Sequence, residues 1–581
     1  MGTALAVLTS VGVLLLAGWG LGDLLRSTTR PLIRLAVGVA AVLAALLLGA
    51  WHLAWLGHAQ LVPAWAVCVL VPACGAGAVR LRRGGCLQPA VLMWAVPLVA
   101  AVLLRAALVA SWTLPPGWDP SFHLLLASRI EETAGLPTSW LPYEPIDLHY
   151  PLAAHALLAG VPVGSLEQRF AVLLAVGSSL LVVQTAALAQ AARLPTSAVG
   201  VSATLMALGV WMGGLGYLGW GGLPSLLATV MFLGLLVLML DRPHRPAGGG
   251  ATRRFPWPLT GLTALTAAGM VLTHHHLMVS GGVALVAALV AGRRWDLLPG
   301  AAAGLTLSGA GWVPLAIKAG RLGETTVHVY VEELLTPPRL AAELGFAFAA
   351  ALLLTPLLWG SPVGRQLRRS HLVPPLAVLL AAWLVLDHGC RLVAWLLGLQ
   401  PFTLFTPSRF LTVAVPLMAV VAGGAVVVVA SRFKLTAVAL TLVVAAASAV
   451  AMLPRYRELT AVDPVPLPWR EAAAWVATHA GPDVLVLNGM TVHPDARAWL
   501  CYLTRQPTTY TPIPTSEPVQ RLPLPEDKVA AAREVWDLRE AKWVIPTVHE
   551  VLHVTSAGGA DAVAVSRVRR GQPSVPSIGQ P

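Results

Sequence analysis

The sequence predicts an all-α polytopic membrane domain of about fourteen transmembrane helices with a small α/β domain at its C-terminal end. Three observations predict it. Apolar residues make up 56% of the 581 positions and charged residues only 11%. The mean hydropathy is +0.73, far above that of soluble globular proteins. Apolar runs of about 17 to 25 residues, the length that crosses a bilayer, recur through the first 453 positions without strand-like alternation.

The predicted spans lie near 4–24, 32–57, 61–79, 89–112, 168–188, 196–216, 223–240, 258–273, 277–292, 297–317, 341–359, 372–386, 409–430 and 435–453. The first lacks a basic leader and a cleavage site, so it reads as a retained span. The stretch 258–292 is instructive, because about 35 apolar residues at roughly 1.5 Å each are too long for one crossing. Arg253/Arg254 precede it and Arg293/Arg294 follow it, so if basic residues stay inside, it must be a hairpin turning at "THHHL", Thr273 to Leu277. With that turn in place, the clusters Arg26/Arg30/Arg34, Arg80/Arg82/Arg83, Arg193, Arg242/Arg245, Arg365/Arg368/Arg369 and Arg432/Lys434 fall on alternate loops. Those loops are assigned to the cytoplasm, and both termini to the extracytoplasmic side.

Beyond 454 the chain changes character. "PWREAAAWVATHAG" (468–481) and "KVAAAREVWDLREA" (528–541) have helical periodicity. "DVLVLN" (483–488), "KWVIP" (542–546) and "AVAVSRV" (562–568) read as strands, and Pro-rich 505–525 as a long loop. This tail carries 13 basic and 13 acidic residues, so the whole net charge of +12 belongs to the membrane part. The basic balance therefore reports topology, and no nucleic-acid partner is inferred. The five cysteines are scattered and suit neither a disulfide framework nor a CxxC metal site.

The loop at about 113–167, placed outside, concentrates the ionisable groups. It opens with "WDPSFH" (118–123) and continues with Glu144, Asp147, His149, Tyr150 and His155. Asp-Pro before an apolar stretch is a helix start, with Asp119 as cap, Pro120 at the first helical position and Gly135 ending the helix after Ala134; His123 would then lie on the outer face of a surface helix. The histidines segregate too: of sixteen, only His244 and His371 fall in loops assigned to the cytoplasm. A site at the outer membrane surface is the economical explanation.

Arg105 lies inside the fourth span, about two turns from its outer end. It either meets a lipid phosphate or snorkels. Asp387, His388 and Arg391 begin another outer loop, lining the same cavity or capping a helix. For Arg409 the alternatives are a phosphate ligand and an interfacial anchor, and for His274–His276 a ligand site and a polar turn.

The order of these features resembles the type C glycosyltransferases, polytopic enzymes that use polyprenyl-phosphate-linked sugars outside the cell membrane. The resemblance runs from about 89 to 580: "GWDPSFH" beyond a span, "DLHYPLAAHALL", "LTHHHLM" and "TPSRFL" (406–411) opening a late span, then an α/β tail. It implies three parts: added helices at 1–88, a core at 89–453 and an outer tail domain at 454–581. It implies a polyprenyl-phosphate sugar donor, a glycan, lipid or protein acceptor, and contact with membrane lipid at the plasma membrane. Asp119 would act as base on the acceptor. Arg409, His123, Asp147, His149, His275 and Arg105 would be the substrate- and phosphate-binding candidates. No cofactor is required by the sequence. A divalent metal, Mg or Mn, would find its donors in Asp119, Asp147 and His149, although the family's frequent second acid is replaced by Pro120. The competing class is a transporter or flippase of a lipid-linked substrate, for which midplane charges and related halves are expected.

Overall fold

The computed structural model describes residues 2–25, 30–82, 89–117, 119–138, 148, 150–161, 164–210, 215–241, 257–321, 334–398, 405–465, 467–479, 484–488, 499, 502–504, 508–510, 550–556 and 563–569. The membrane part opens with α1 (Gly2–Gly22), α2 (Pro31–Trp55), α3 (Val62–Arg82) and α4 (Pro89–Ala110). The polar loop contributes α5 (Asp119–Thr133) and α6 (Ala153–Gly160), after which come α7 (Leu166–Ala191), α8 (Thr196–Ala207), α9 (Gly216–Trp220) and α10 (Leu223–Leu240). The hairpin is α11 (Trp257–Thr273) and α12 (His275–Gly292), continued by α13 (Leu298–Leu307), α14 (Gly309–Arg321), α15 (Pro337–Leu344) and α16 (Phe346–Leu353). The series ends with α17 (Pro362–Arg369), α18 (Val373–Trp383), α19 (Cys390–Leu396), α20 (Pro407–Arg432), α21 (Ala437–Ala461) and α22 (Leu467–His479).

Among the described residues, ten helical segments are long and apolar enough to cross a membrane, which makes this a multi-pass membrane protein. Other predicted spans are shorter or broken. The segment 196–216 is helical only to Ala207 before a break, and 297–317 divides at Ser308. The segment 372–386 runs on to Leu396 through a π-helical turn at Leu384–Gly389. Asp387, His388 and Arg391 therefore lie within that helical segment. The expectation that they open a loop is corrected: a π turn absorbs polar residues without ending a helix.

Hydrophobic burial cannot hold these helices together inside a bilayer, so close backbone approach must. A Cβ on Gly38 of α2 would meet the carbonyl oxygen of Gly18 in α1, and one on Gly77 of α3 that of Leu16. At the α10–α11–α12 end of the core, α10 is buried along its whole length.

Arg30, Arg34 and Arg80, which the sequence predicts to share one side, lie at adjoining ends of α1, α2, α3 and α7. Asp23 lies 3.4 Å from both Arg34 and Arg80, and Arg30 donates to the carbonyl of Gln190 at 2.6 Å. Arg294 donates to the carbonyls of Leu238 and Asp241, which close the last turn of α10, and pairs with Asp296.

In the tail, four strands form one sheet in the order β2-β1-β3-β4: β1 (Val484–Asn488), β2 (Thr508–Tyr510), β3 (Glu550–Ser556) and β4 (Val563–Arg569). β1 pairs in parallel with β2 and β3, while β3 and β4 are antiparallel. Two of these strands fall close to the predicted ones. β2 corrects the expectation of a continuous loop over 505–525, because the β-branched and aromatic triplet Thr508–Tyr510 pairs with Val486–Asn488. The predicted helix 528–541 and strand 542–546 lie outside the described residues.

Candidate functional site

At the end of the bundle opposite Asp23 and Arg34, five separate chain segments bring polar side chains together. The first is α5. It starts at Asp119 as the Asp-Pro signal predicts, and it ends where Ala134 takes a left-handed φ of 54°, one residue before the predicted glycine. Asp119 and His123 are four apart and so share a helix face. That face is not the outer one: His123 is 8% exposed, buried with Leu124, Leu125 and Leu126. The surface-helix expectation fails because α6 and α7 pack over α5, and Phe170 of α7 lies 6.1 Å from the His123 ring.

The second segment, Tyr150 to α6, supplies Tyr150 and His155. His155 is 1% exposed, and its Nε2 is 2.9 Å from Nδ1 of His123. Nδ1 of His155 is buried and has no hydrogen-bond partner among the described residues. A buried N–H without an acceptor costs more than an unused lone pair, so the proton belongs on Nε2 of His155, which donates to His123. His123 then carries its own proton on Nε2. Burial holds both imidazoles in the neutral form: His123 is pushed down to about 3, and His155 lies well below its ordinary value through burial and then through His123.

The Tyr150 ring joins this pair to the hairpin. Its centroid lies 6.1 Å from His123, 5.6 Å from His155, 6.1 Å from His274 and 5.4 Å from His275. Burial raises its phenol above the usual range, the negative charge of Asp119 raises it further, and Arg409 pulls against both. Asp119 and Arg409, 290 positions apart in sequence, therefore act on one side chain.

The third segment is the hairpin turn, where the helix breaks at His274, whose backbone is extended. His274 caps α12: its Nδ1 accepts from the Leu277 N–H at 3.4 Å. Its Nε2 must then carry the proton and donates at 2.9 Å to Oγ of Ser225, which opens α10 and is the fourth segment. The His275 and His276 rings are 4.1 Å apart, and Nδ1 of His275 is buried without a hydrogen-bond partner among the described residues.

The fifth is the start of α20, where the motif "TPSR" has a direct structural meaning. Thr406 caps the helix by accepting from the Arg409 N–H at 3.4 Å, Pro407 occupies the first helical position, and Arg409 falls in the first turn. A cation there adds to the positive end of the helix dipole, and its charge also reaches His274, His275 and His276. Such a concentration of positive potential favours an anion.

Of the candidates read from sequence, Asp119, His123, His275 and Arg409 come together. Asp147 and His149, like Glu144 and Trp118, lie outside the described residues. Arg105 is 1% exposed and donates to the carbonyl of Ala207, the last residue of α8. Among the described residues no three His, Cys, Asp or Glu side chains are placed to hold a metal ion together. Ser225 was not anticipated, its only signal being the Gly-Leu-Pro-Ser helix start. Tail residues also reach this end: Trp499 Nε1 donates to the Gly117 carbonyl at 2.9 Å, and the Tyr502 hydroxyl to Glu167 at 2.6 Å.

Fold and site define a multi-pass helical membrane protein with a carboxylate, a guanidinium and a histidine cluster at one end of its bundle. No family model and no curated protein matches the chain. Among solved structures it is similar to ArnT from Cupriavidus metallidurans bound to undecaprenyl phosphate, at 13% identity and a TM-score of 0.48 over 80% of this chain and 93% of that one. It is also similar to the oligosaccharyltransferase AglB from Archaeoglobus fulgidus in complex with an inhibitory peptide and a dolichol-phosphate, at 14% identity and a TM-score of 0.46 over 80% and 69%. A third structure, that archaeal enzyme tethered with an acceptor peptide, matches at 15% identity and a TM-score of 0.45 over 72% of this chain and 63% of that one, so this chain spans less than two thirds of it. These likenesses concern the chain path and give no residue correspondence.

Proposed function

We propose that the chain is a type C glycosyltransferase, an integral membrane enzyme that moves a sugar from a polyprenyl-phosphate donor to a hydroxyl or amine of a glycan, lipid or protein acceptor. The observation that carries this reading is that the charges of Asp119 and Arg409 both reach the half-buried Tyr150, beside four histidines, at the ends of membrane-length helices. The donor's lipid stays in the bilayer while its phosphate reaches Arg409 at the start of α20. Asp119 receives the proton of the incoming acceptor as the bond between the anomeric carbon and the lipid phosphate breaks. The phosphate leaves as an anion and needs no acid. His123 and His155, neutral and hydrogen-bonded to each other, hold α5 against α6 and so fix Asp119.

The same reading places this end on the extracytoplasmic side of the plasma membrane, with about fourteen spans in all. It makes residues 1–88 an addition before the core 89–453, and 454–581 an α/β domain lying outside. Asp147 and His149 would complete a divalent site with Asp119, and a bound Mg or Mn would polarise phosphate oxygens there. The position of the polar cluster at helix termini supports an enzyme over a transporter, whose charges are expected nearer the midplane.

Sugar transfer from a panel of polyprenyl-phosphate sugars by purified protein in lipid tests the proposal, with Asp119→Asn compared at matched folding. Transfer by the native chain and a loss of about a hundredfold in Asp119→Asn is the expected result. Equal transfer by both would reduce Asp119 to a helix cap, and labelled lipid crossing the bilayer without any transfer would favour the transporter.

A further inference from the structure

The π turn in the segment 373–396 holds polar atoms that the reaction just proposed does not use. Asp387 is fully buried, and its Oδ1 accepts from Nε of Arg391 at 2.8 Å. Its other oxygen, Oδ2, has no hydrogen-bond partner among the described residues. Nδ1 of His388 lies 3.5 Å from that oxygen, without hydrogen-bond alignment, and is itself buried with no hydrogen-bond partner among the described residues. One turn earlier is Trp383, 7% exposed, whose ring meets His388 edge-on at 4.6 Å and whose Nε1 also has no hydrogen-bond partner among the described residues. Polar atoms buried in this way call for an explanation, and more so inside a membrane helix.

Their chemistry narrows what could satisfy them. The carboxylate oxygen only accepts, the indole N–H only donates, and the imidazole nitrogen can do either. A phosphate or carboxylate has no hydrogen to give and would face the charge of Asp387. An ammonium could bond to Asp387 but not accept from the indole. A hydroxyl does both.

The position narrows it further. Trp383 stacks on Phe410 at 4.9 Å with an interplanar angle of 17°, and Phe410 follows Arg409. A sugar joined to a phosphate held by Arg409 is therefore within reach of the π turn. The side chain of His388 is 42% exposed, which leaves a way in. We propose that Trp383, Asp387 and His388 form a subsite for a hydroxyl of the donor's sugar, built by the π turn beside the phosphate position. This rests on the reading of Arg409 as the phosphate holder.

The test measures binding of two probes, a polyprenyl phosphate carrying a hexose and the same lipid phosphate without sugar, to the full chain in lipid nanodiscs. The native chain is expected to bind the sugar-bearing lipid about tenfold more tightly, the scale of a well-made hydrogen bond. Trp383→Phe keeps an aromatic ring against Phe410 while removing the indole N–H and the second ring; His388→Ala opens the other wall. Each should bring the two affinities to within about twofold while leaving the bare lipid phosphate bound as before. Preserved preference in both variants would mean that the cluster holds an ordered water only, and would overturn the subsite while transfer activity stands. Equal binding of both probes by the native chain would overturn it as well. Should Trp383→Phe not fold, His388→Ala alone decides. Failure of the native chain to bind either lipid would instead bring down the glycosyltransferase reading.

Discussion

Acid should loosen this protein through the His123–His155 pair. Both imidazoles are buried and neutral in the folded chain, His123 held down to about 3 and His155 well below its ordinary value. In the unfolded chain each takes up a proton near pH 6.5. Below that point the unfolded state binds more protons than the folded one, so stability is fully present above about pH 6.5 and falls as the pH drops toward the folded values. The slope for each histidine grows from about half of 1.4 kcal/mol per pH unit at pH 6.5 to nearly the full value a unit lower, so the pair costs about 2 kcal/mol between roughly pH 6.5 and 5.5. The assay is the thermal unfolding midpoint of purified protein in detergent at a series of pH values, for the native chain and for His123→Gln/His155→Gln. The double variant should lose part of the acid dependence, because two groups that charge only on unfolding are gone. An acid slope equal to that of the native chain would refute the assignment of these imidazoles as neutral.

Two other outcomes follow from described contacts. Arg105→Leu removes a donor from the Ala207 carbonyl at the end of α8 and should lower the unfolding midpoint while leaving polyprenyl-phosphate affinity within about twofold; a loss of tenfold or more would return Arg105 to the phosphate ligands. Gly38→Val would drive a side chain into the Gly18 backbone and should separate α1 from α2, read as loss of monodisperse protein on gel filtration; normal behaviour would refute the close-approach account.

Several residues of the candidate site are conspicuous in the sequence. Asp119, His123, His275 and Arg409 stand out because a membrane segment tolerates charge and imidazole only where something compensates them, so their presence at span ends is informative in itself. Legibility failed where local sequence and packing disagree. His123 reads as exposed on an amphipathic surface helix, yet α6 and α7 cover it. Asp387 reads as a helix end, yet a π turn keeps it inside. The importance of Tyr150 depends on four rings from three segments, and no spacing rule relates them.

By itself the sequence determined that the chain is a helical membrane protein, where its ten long apolar helical segments run, and that the hairpin must turn at the histidines. Those outcomes follow from hydrocarbon length and the need to satisfy every backbone group within a span, which are local properties. Only the tertiary structure decided which span ends face one another, which imidazole gives its proton to which, and that the charges of Asp119 and Arg409 both reach Tyr150. Those outcomes depend on backbone approach at glycines and on hydrogen bonds between residues tens to hundreds of positions apart, which leave no periodic mark in the chain.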